Sequence, residues 1–281
     1  MFYLSLTGLM ASKTVKMAVV TVDGNIASFC FYSKRAFDFN LMSRYGFSIG
    51  LVTTLEKFRG KGFATELIEK ISILASECKV SFVYLQGIPY FYSKLGFQTF
   101  APKSRFVFDP ERLRETGCQI VKLSEHRLSD VARLNLSYSD SIRSLVKRSE
   151  EDWLDLFRSI ANTFLFFRPR GILCPEGKLV GYFCTSPNNP RELREFVVSQ
   201  DRCSALIALT AAASYLRSLN GSKLEIFSPN LGPLLDLSRS TIEADFICHY
   251  RPFSSNLYRV ICSDFPESEL RNSFVLQGDN L

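Results

Sequence analysis

The sequence predicts an α+β protein of three layers, α/β/α, made of two copies of one fold with mixed, mostly antiparallel sheets. Short apolar runs of strand type alternate along the chain with segments of helical periodicity. The same order of elements restarts after the polar stretch at residues 109–117. With 281 residues, of which 46% are hydrophobic and 22% charged, the chain is long enough for two domains, each with its own core.

Residues 1–112 are expected to form the first domain. Alternating apolar residues around Asp23-Gly24-Asn25 predict a β-hairpin at 15–32. A strand at 45–54 then leads into a helix at 61–78, whose apolar residues recur every three or four positions, and a strand at 80–86 follows. Pro89 suits the first turn of a short helix at 89–95, and Gly96 suits its end. Strands at 97–100 and 105–108 are expected to close this sheet.

Residues 113–265 are expected to form the second domain, which repeats this order with an added beginning. The first copy lacks the opening strand and the two helices that start the second. Residues 266–281 are expected to be a C-terminal tail. The alternative is an unrelated domain with the same order of elements. The patterns predict strands at 118–123, 171–174, 178–185, 193–199, 223–228, 246–250 and 257–262, and helices at 127–145, 149–160, 203–219 and 231–237.

The composition indicates the cellular compartment and the kinds of binding site to expect. Eight cysteines are scattered singly, mostly beside apolar residues, which is typical of a reduced cytoplasmic protein. The only histidines, His126 and His249, argue against a metal site and lie in no nucleophile motif. The net charge of +6 is dispersed, with its densest cluster at 143–148 interpreted as a solvated helix end. We expect a cytoplasmic protein with no metal, nucleic-acid or membrane partner, and the sequence leaves the oligomeric state open.

One segment between a predicted strand and a predicted helix has the composition of an anion-binding loop, Arg59-Gly60-Lys61-Gly62-Phe63-Ala64. Its two glycines let backbone N–H groups approach a bulky anion closely. The helix start adds a partial positive charge, and the arginine and lysine add full ones. The segment matches neither the P-loop nor the dinucleotide fingerprint. From these residues alone, an ordinary loop and helix cap is the alternative.

Two landmarks in this half resemble those of the GNAT superfamily of N-acyltransferases. Arg59, Gly62 and Ala64 occupy the fixed positions of its acetyl-CoA signature, Arg/Gln-x-x-Gly-x-Gly/Ala after a strand. About 25 residues later, Gly87-Ile88-Pro89-Tyr90-Phe91-Tyr92-Ser93-Lys94-Leu95-Gly96-Phe97 resembles the family's helix bearing Phe-Tyr followed by Gly-Phe. The segment Gly-Ile-Pro-Tyr-Phe-Tyr at 87–92 is most similar to that of bacterial two-domain members of the enhanced-intracellular-survival type. The resemblance covers roughly residues 14–110 and is architectural beyond them.

The resemblance implies an acetyl-CoA site where two neighbouring strands splay apart. Backbone groups of Val52 and Thr54 would bond the pantetheine arm, and the glycine-containing loop would hold the pyrophosphate. Tyr92 matches the tyrosine that often protonates the leaving thiolate, with aromatic packing as the alternative. For the two threonines of the strand, plain strand propensity is the alternative. The implied cofactor-binding residues are Val52, Thr53, Thr54, Arg59, Gly60, Lys61, Gly62, Phe63, Ala64 and Thr65.

The implied activity is transfer of an acetyl group from acetyl-CoA to a primary amine of an acceptor that the sequence does not name. Many relatives place a carboxylate base on the strands around the splay, but segments 47–54 and 80–86 contain none. Glu56 stands too near the phosphates, Ser48 or Tyr45 would have to order a water, and a carboxylate of the tail 267–281 would have to reach back. This gap keeps open a second hypothesis, a non-catalytic CoA-binding or protein-interaction module.

The second copy lacks the phosphate loop. It has Ser199-Gln200-Asp201-Arg202-Cys203 where the first copy has its two glycines, so an acid stands where the pyrophosphate would sit. We expect this copy to bind no CoA and instead to cover the sheet or help form the acceptor cleft. Trp153 and Phe157 are candidates for lining that cleft, with a place in the core as the alternative.

Overall fold

The computed structural model describes residues 14–39, 42–99, 103–108, 113, 116–141, 148–158, 169–185, 192–219, 224–228, 249–253 and 256–260. These residues form two compact units. The N-terminal unit contains the described residues up to 99 together with 256–260, and the C-terminal unit contains those from 103 to 253. The strands are β1 Val15–Val22, β2 Asn25–Phe39, β3 Met42–Thr54, β4 Phe82–Gln86, β5 Gln98–Thr99, β6 Lys103–Phe108, β7 Gln119–Lys122, β8 Pro169–Leu173, β9 Leu179–Thr185, β10 Glu192–Val198, β11 Leu224–Ser228, β12 His249–Phe253 and β13 Asn256–Val260. The helices are α1 Phe63–Glu77, α2 Pro89–Tyr92, α3 Leu128–Ser141, α4 Glu150–Arg158 and α5 Arg202–Ser218.

The N-terminal unit is a six-stranded sheet in the order β1-β2-β3-β4-β13-β5. The predicted hairpin is β1–β2, and its turn residues Asp23 and Gly24 both have positive φ, as a type I′ turn requires. The pair β3–β4 is parallel, and α1 makes the crossover between the two strands. The face that α1 covers holds the core of this unit. That core comprises Cys30, Phe47, Ile49, Leu67, Ile68, Ile71, Ala75, Val80, Val83, Leu85, Tyr92 and Phe97.

The C-terminal unit is a seven-stranded sheet in the order β12-β6-β11-β10-β9-β8-β7, in which β10 and β11 are parallel. Helices cover both faces of this sheet. On β9, the Tyr182 hydroxyl meets Asn135 of α3, while Phe183 packs against Tyr215 of α5. Since neighbouring residues of a strand point to opposite faces, α3 and α5 lie on opposite sides. The predicted α/β/α layering is therefore confirmed in this unit.

The assignment of closing strands to sheets by chain order was wrong for two strands. Strand β6, predicted to close the first sheet, pairs with β11 and β12 of the C-terminal unit. Strand β13, predicted to close the second sheet, pairs with β4 and β5 of the N-terminal unit. The physical reason is that a strand's own residues specify its two faces but not its neighbours, and a distant edge can offer the better pairing.

Most predicted elements are present with shifted ends. The short helix predicted at 89–95 is α2 followed by the 3-10 turn Ser93–Leu95, and the helix predicted at 127–145 is the 3-10 turn Glu125–Arg127 followed by α3. In the described part, the N-terminal unit begins at β1, whereas β7, α3 and α4 precede the equivalent hairpin of the C-terminal unit. The helix predicted at 231–237 and the tail 266–281 lie outside the described residues. None of the described helices is long and apolar enough to span a bilayer.

Candidate functional site

The loop between β3 and α1 exposes its backbone at two glycines. After the 3-10 turn Glu56–Phe58, Arg59 is extended, and Gly60 and Gly62 have φ of 76° and 83°. This left-handed conformation is unstrained only for glycine. A Cβ added at either glycine would meet no heavy atom within 4 Å, so both backbones face open space. The amide of Glu66 donates to Gly62 O at 3.0 Å, which closes the first turn of α1.

The start of α1 has no side-chain cap, because its N-cap residue is Gly62. The first amides of any helix have no acceptor within the helix, and here those of Phe63, Ala64 and Thr65 are at that end. The loop is anchored by the buried ring of Phe58, which meets Phe63 edge to face at 6.1 Å. An exposed, uncapped helix start of this kind can hold an anion.

Cationic side chains surround this loop. The ammonium groups of Lys57 and Lys61 lie 4.9 and 5.7 Å from the centroid of the Phe58 ring. Arg59 Nε donates to the backbone oxygen of Thr54 at 3.4 Å, which holds the guanidinium between the end of β3 and the helix start. The predicted residues from Arg59 to Thr65 therefore lie together at the N-terminus of one helix. Their full charges add to the partial charge of its amides.

Beside this loop β3 extends past its pairing with β4, so that one edge of β3 has no strand partner there among the described residues. Their parallel pairing runs from Gly46 opposite Phe82 to Ile49 opposite Leu85 and ends there, although β3 continues to Thr54. Just beyond, β3 contains one extra residue relative to β2. Leu51, within this bulge, has φ of 53°. A bulge bends its strand and increases the local twist, so the end of β3 from Leu51 to Thr54 is turned relative to the part that pairs with β4.

Of the two residues predicted to bind the pantetheine arm, Thr54 has its backbone groups on this unpaired edge of β3. Thr53 O accepts from Ser28 Oγ at 3.0 Å, and the Leu55 amide donates to Ala27 O at 3.0 Å, so both of these β3-end residues face β2. Backbone groups of alternate residues point to opposite edges of a strand, so those of Thr54, which lies between these two residues, point away from β2. The Thr54 oxygen on that side accepts from Arg59 Nε. A ligand with its own amides can add to such an edge like another strand.

Tyr92 lies at the end of α2, immediately after β4. Its side chain is 8% exposed, packs edge to face with Phe91 and Phe97, and lies so close to Gly87 that a Cβ there would overlap the ring. Burial, with a smaller contribution from the nearby Cys30, raises the pKa of Tyr92 to about 12. The phenol is therefore protonated at neutral pH. Its packing also accommodates the alternative role in the core.

The strands next to this loop offer no carboxylate that could act as the general base. Strands β3, β4 and β13 carry no carboxylate. Glu56 is exposed in the 3-10 turn beside the two-glycine loop, and Tyr45 is exposed, with the Lys34 ammonium 4.4 Å from the centroid of its ring. Ser48 is fully buried, and its hydroxyl has no hydrogen-bond partner among the described residues. The tail 267–281 lies outside the described residues.

Arg259 of β13 is a residue near the site that the sequence did not single out. Its guanidinium contacts α1 and the turn that follows α2. The sequence carries no signal for this contact, because the strand that places it was assigned to the other sheet.

The equivalent helix start in the C-terminal unit is occupied by its own carboxylate. Asp201 caps α5 by accepting the Ser204 amide at 2.7 Å, and this hydrogen bonding lowers the pKa of Asp201. The N-terminal unit thus leaves the start of α1 open, whereas the C-terminal unit fills the start of α5 with an acid.

The densest basic cluster, at 143–148, was interpreted as a solvated helix end, and this interpretation is wrong for its last residue, Arg148. Arg148 is buried and forms a bidentate ion pair with buried Glu195 at 2.7 and 2.8 Å. The Tyr182 hydroxyl donates to the same carboxylate at 2.7 Å, and the Trp153 ring lies against both the guanidinium and Tyr182. Trp153 is completely buried, as its alternative role in the core required.

Solved structures match this arrangement, although no family model and no curated protein matches the sequence. A GCN5-related N-acetyltransferase from Anabaena variabilis aligns with a TM-score of 0.66 and 14% identity over 92% of this chain and 65% of that one. Eis1 from Mycobacterium abscessus aligns with a TM-score of 0.54 and 12% identity over 86% and 63%. Saccharomyces cerevisiae N-myristoyltransferase with bound myristoyl-CoA aligns with a TM-score of 0.55 and 12% identity over 90% and 74%.

This chain has the GNAT fold. The resemblance predicted from the two landmarks is thereby confirmed at the level of fold. The chain spans less than two thirds of the length of the two bacterial proteins. Within this chain, the N-terminal unit is the part that carries the open helix start and the unpaired end of β3.

Proposed function

We propose that this protein is an N-acetyltransferase that transfers an acetyl group from acetyl-CoA to a primary amine, and that its N-terminal unit holds the cofactor. The observation that supports this proposal best is the two-glycine loop at the uncapped start of α1, open to solvent and flanked by Arg59 and Lys61. In the proposed complex the CoA diphosphate accepts hydrogen bonds from amides between Gly60 and Ala64, and the Thr65 hydroxyl adds one more contact.

The pantetheine arm then lies along the gap between β3 and β4. Its amides are proposed to bond the backbone groups of Val52 and Thr54. Four residue steps of strand lead from Thr54 back to Gly50, about 13 Å at the usual rise, so the arm runs from the phosphates toward Ile49 and Leu85. The thioester therefore reaches the region between the end of β4 and Tyr92.

Transfer requires the neutral amine to attack the thioester carbon, so that a C–N bond forms and the C–S bond breaks. The electron pair of that bond goes to sulfur, and the amine nitrogen loses its extra proton to solvent. Tyr92 is proposed to donate to the sulfur as charge develops there. Its pKa of about 12 lies well above the value of about 8.5 for an ordinary thiol. Full proton transfer from the phenol to the thiolate is therefore unfavourable, and the phenol acts chiefly as a hydrogen-bond donor that stabilises the thiolate.

The C-terminal unit is proposed to be a second GNAT copy that does not bind CoA, because Asp201 occupies its helix start. The second candidate function is a CoA-binding or protein-interaction module without catalysis. It is favoured by one observation, the absence of a carboxylate from β3, β4 and β13. Catalysis in that arrangement depends on an amine that is already deprotonated when it binds.

Two measurements on the purified chain test the proposal in order. Calorimetric titration with CoA comes first, and saturable binding at one site per chain is expected. Release of free thiol from acetyl-CoA is then followed with a panel of aminoglycosides, polyamines, amino acids and lysine peptides, with myristoyl-CoA as the comparison donor. Amine-dependent thiol release supports the transferase. CoA binding without release for any amine or donor selects the non-catalytic CoA-binding module. No CoA binding overturns both the transferase and the CoA-binding module.

A further inference from the structure

The sheet that carries the proposed cofactor site is completed by a strand from the far end of the chain. All five residues of β13 pair with β4, from Asn256 opposite Gln86 to Val260 opposite Phe82. On its other side β13 pairs with β5, which has no other strand partner among the described residues. Strand β13 therefore joins the end of β4 to the segment that follows Tyr92.

One side chain of this strand binds two separate parts of the N-terminal unit. Arg259 Nη1 donates to the Glu69 carboxylate of α1 at 2.7 Å and to the Leu95 backbone oxygen at 2.9 Å. Its Nη2 donates to the hydroxyl of Ser72, also on α1, and its guanidinium lies 5.2 Å from the centroid of the Phe97 ring. The side chain is 16% exposed. Arg259 thus fixes α1 against the turn between α2 and β5.

These contacts lead to both halves of the proposed site. Helix α1 carries the open N-terminus, and Leu95 lies in the 3-10 turn that directly follows Tyr92. The Phe97 ring that underlies the guanidinium also packs on the Tyr92 ring, at 5.8 Å. A shift of Arg259 would therefore change the position of the Tyr92 phenol relative to α1.

We propose that Arg259 is a positioning residue for acyl transfer, which sets the Tyr92 phenol against the thioester of a CoA whose diphosphate is held at α1; this inference rests on the proposed function. The role requires arginine, because a planar guanidinium can donate in several directions at once while a lysine ammonium offers a single nitrogen. The ion pair itself contributes little, because Glu69 is 49% exposed and solvent screens such pairs. Arg259 therefore acts by fixing the position of the turn after α2.

The test compares Arg259→Lys with Glu69→Gln in the full chain. Arg259→Lys keeps a positive charge for Glu69 but loses the simultaneous bonds to Leu95 and Ser72, while Glu69→Gln weakens the ion pair and leaves those bonds intact. We expect Arg259→Lys to lower kcat about tenfold or more with the CoA dissociation constant within about threefold of wild type. Hydrogen exchange in the unliganded protein should become faster at amides 91–97. Glu69→Gln should match wild type in all three measurements.

Unchanged exchange at amides 91–97 in Arg259→Lys overturns the proposal. A parallel loss of kcat, CoA affinity and thermal midpoint also overturns it, because that pattern means a general loss of structure. The wild-type CoA titration judges the proposed function separately, since exchange is measured without CoA. In a wild type that binds CoA without turnover, exchange at 91–97 alone decides whether Arg259 positions this turn.

Discussion

Replacing Gly62 by alanine separates the conformational role of the loop from its proposed binding role. The residue has φ of 83° and open space around the position of an added Cβ, so the substitution introduces backbone strain without a steric clash. Strain of an L-residue in the left-handed region is about 1–2 kcal/mol. Gly177, in the turn between β8 and β9, has φ of 77° and equally open surroundings. Gly177→Ala is therefore a matched control with the same expected loss of stability.

The two variants should differ in CoA affinity. In Gly62→Ala the new methyl group occupies the open side from which the diphosphate approaches the helix start, and it lengthens at least one hydrogen bond to a charged acceptor. Such a bond contributes about 1.5–3 kcal/mol. Since about 1.4 kcal/mol is tenfold in affinity, the dissociation constant of Gly62→Ala should rise by about 10-fold to 100-fold. That of Gly177→Ala should stay within about twofold, because its strain lies far from the loop in sequence and in a different unit.

Calorimetric titration with CoA gives the affinities, and urea unfolding gives the stabilities. Equal loss of stability with a selective loss of affinity in Gly62→Ala supports the assigned role of the loop. The reasoning is refuted if Gly62→Ala binds CoA as tightly as wild type. It is refuted equally if Gly177→Ala loses as much affinity, because the effect then comes from general destabilisation.

Three further substitutions test other parts of the account. Tyr92→Phe removes a hydrogen bond to the developing thiolate, so it should lower kcat about 100-fold or more while CoA affinity changes less than about twofold, and equal turnover would assign the ring to packing alone. The raised pKa of about 12 predicts that any loss of wild-type turnover below about pH 10 arises from another group. Arg148→Met leaves the Glu195 carboxylate buried and unpaired, so urea unfolding should show a loss of about 3–5 kcal/mol that Arg148→Met/Glu195→Gln partly restores; an unchanged midpoint would contradict the buried pair. Asp201→Ala should lower the thermal midpoint at neutral pH and leave CoA stoichiometry at one. Because the folded pKa of Asp201 is lowered, its cap stabilises above the ordinary aspartate pKa and that contribution is lost as acid protonates the carboxyl, so the two midpoints should converge at low pH.

Features specified by neighbouring residues could be predicted from the sequence. The hairpin turn at Asp23-Gly24, the strand leading to Arg59, the two glycines and the periodicity of α1 each depend on contiguous residues, and all appear where the patterns indicated. The predicted anion-loop residues lie together for the same reason, since they occupy one short segment. Tyr92 lies beside β4 because only Gly87 and one further residue separate strand from helix.

Features that depend on distant partners could not be predicted. Apolar patterns mark β6 and β13 as strands, but nothing in either segment specifies a sheet, so the exchange of the two strands was missed. The three-way contact of Arg259 depends on that exchange. Arg148 was taken for a surface residue because it lies in a basic run, and its partner Glu195 is on a strand far along the chain. A buried ion pair leaves no periodic signal in the sequence.

Backbone amide chemical shifts during a CoA titration test the central claim most directly. The account predicts that the largest changes occur at the amides of Gly60, Gly62, Phe63 and Ala64 and saturate at one equivalent of CoA. Smaller changes should extend along β3 to Val52. If these amides do not respond to CoA, or if the largest changes occur at the start of α5, the assignment of the α1 N-terminus as the diphosphate site is contradicted.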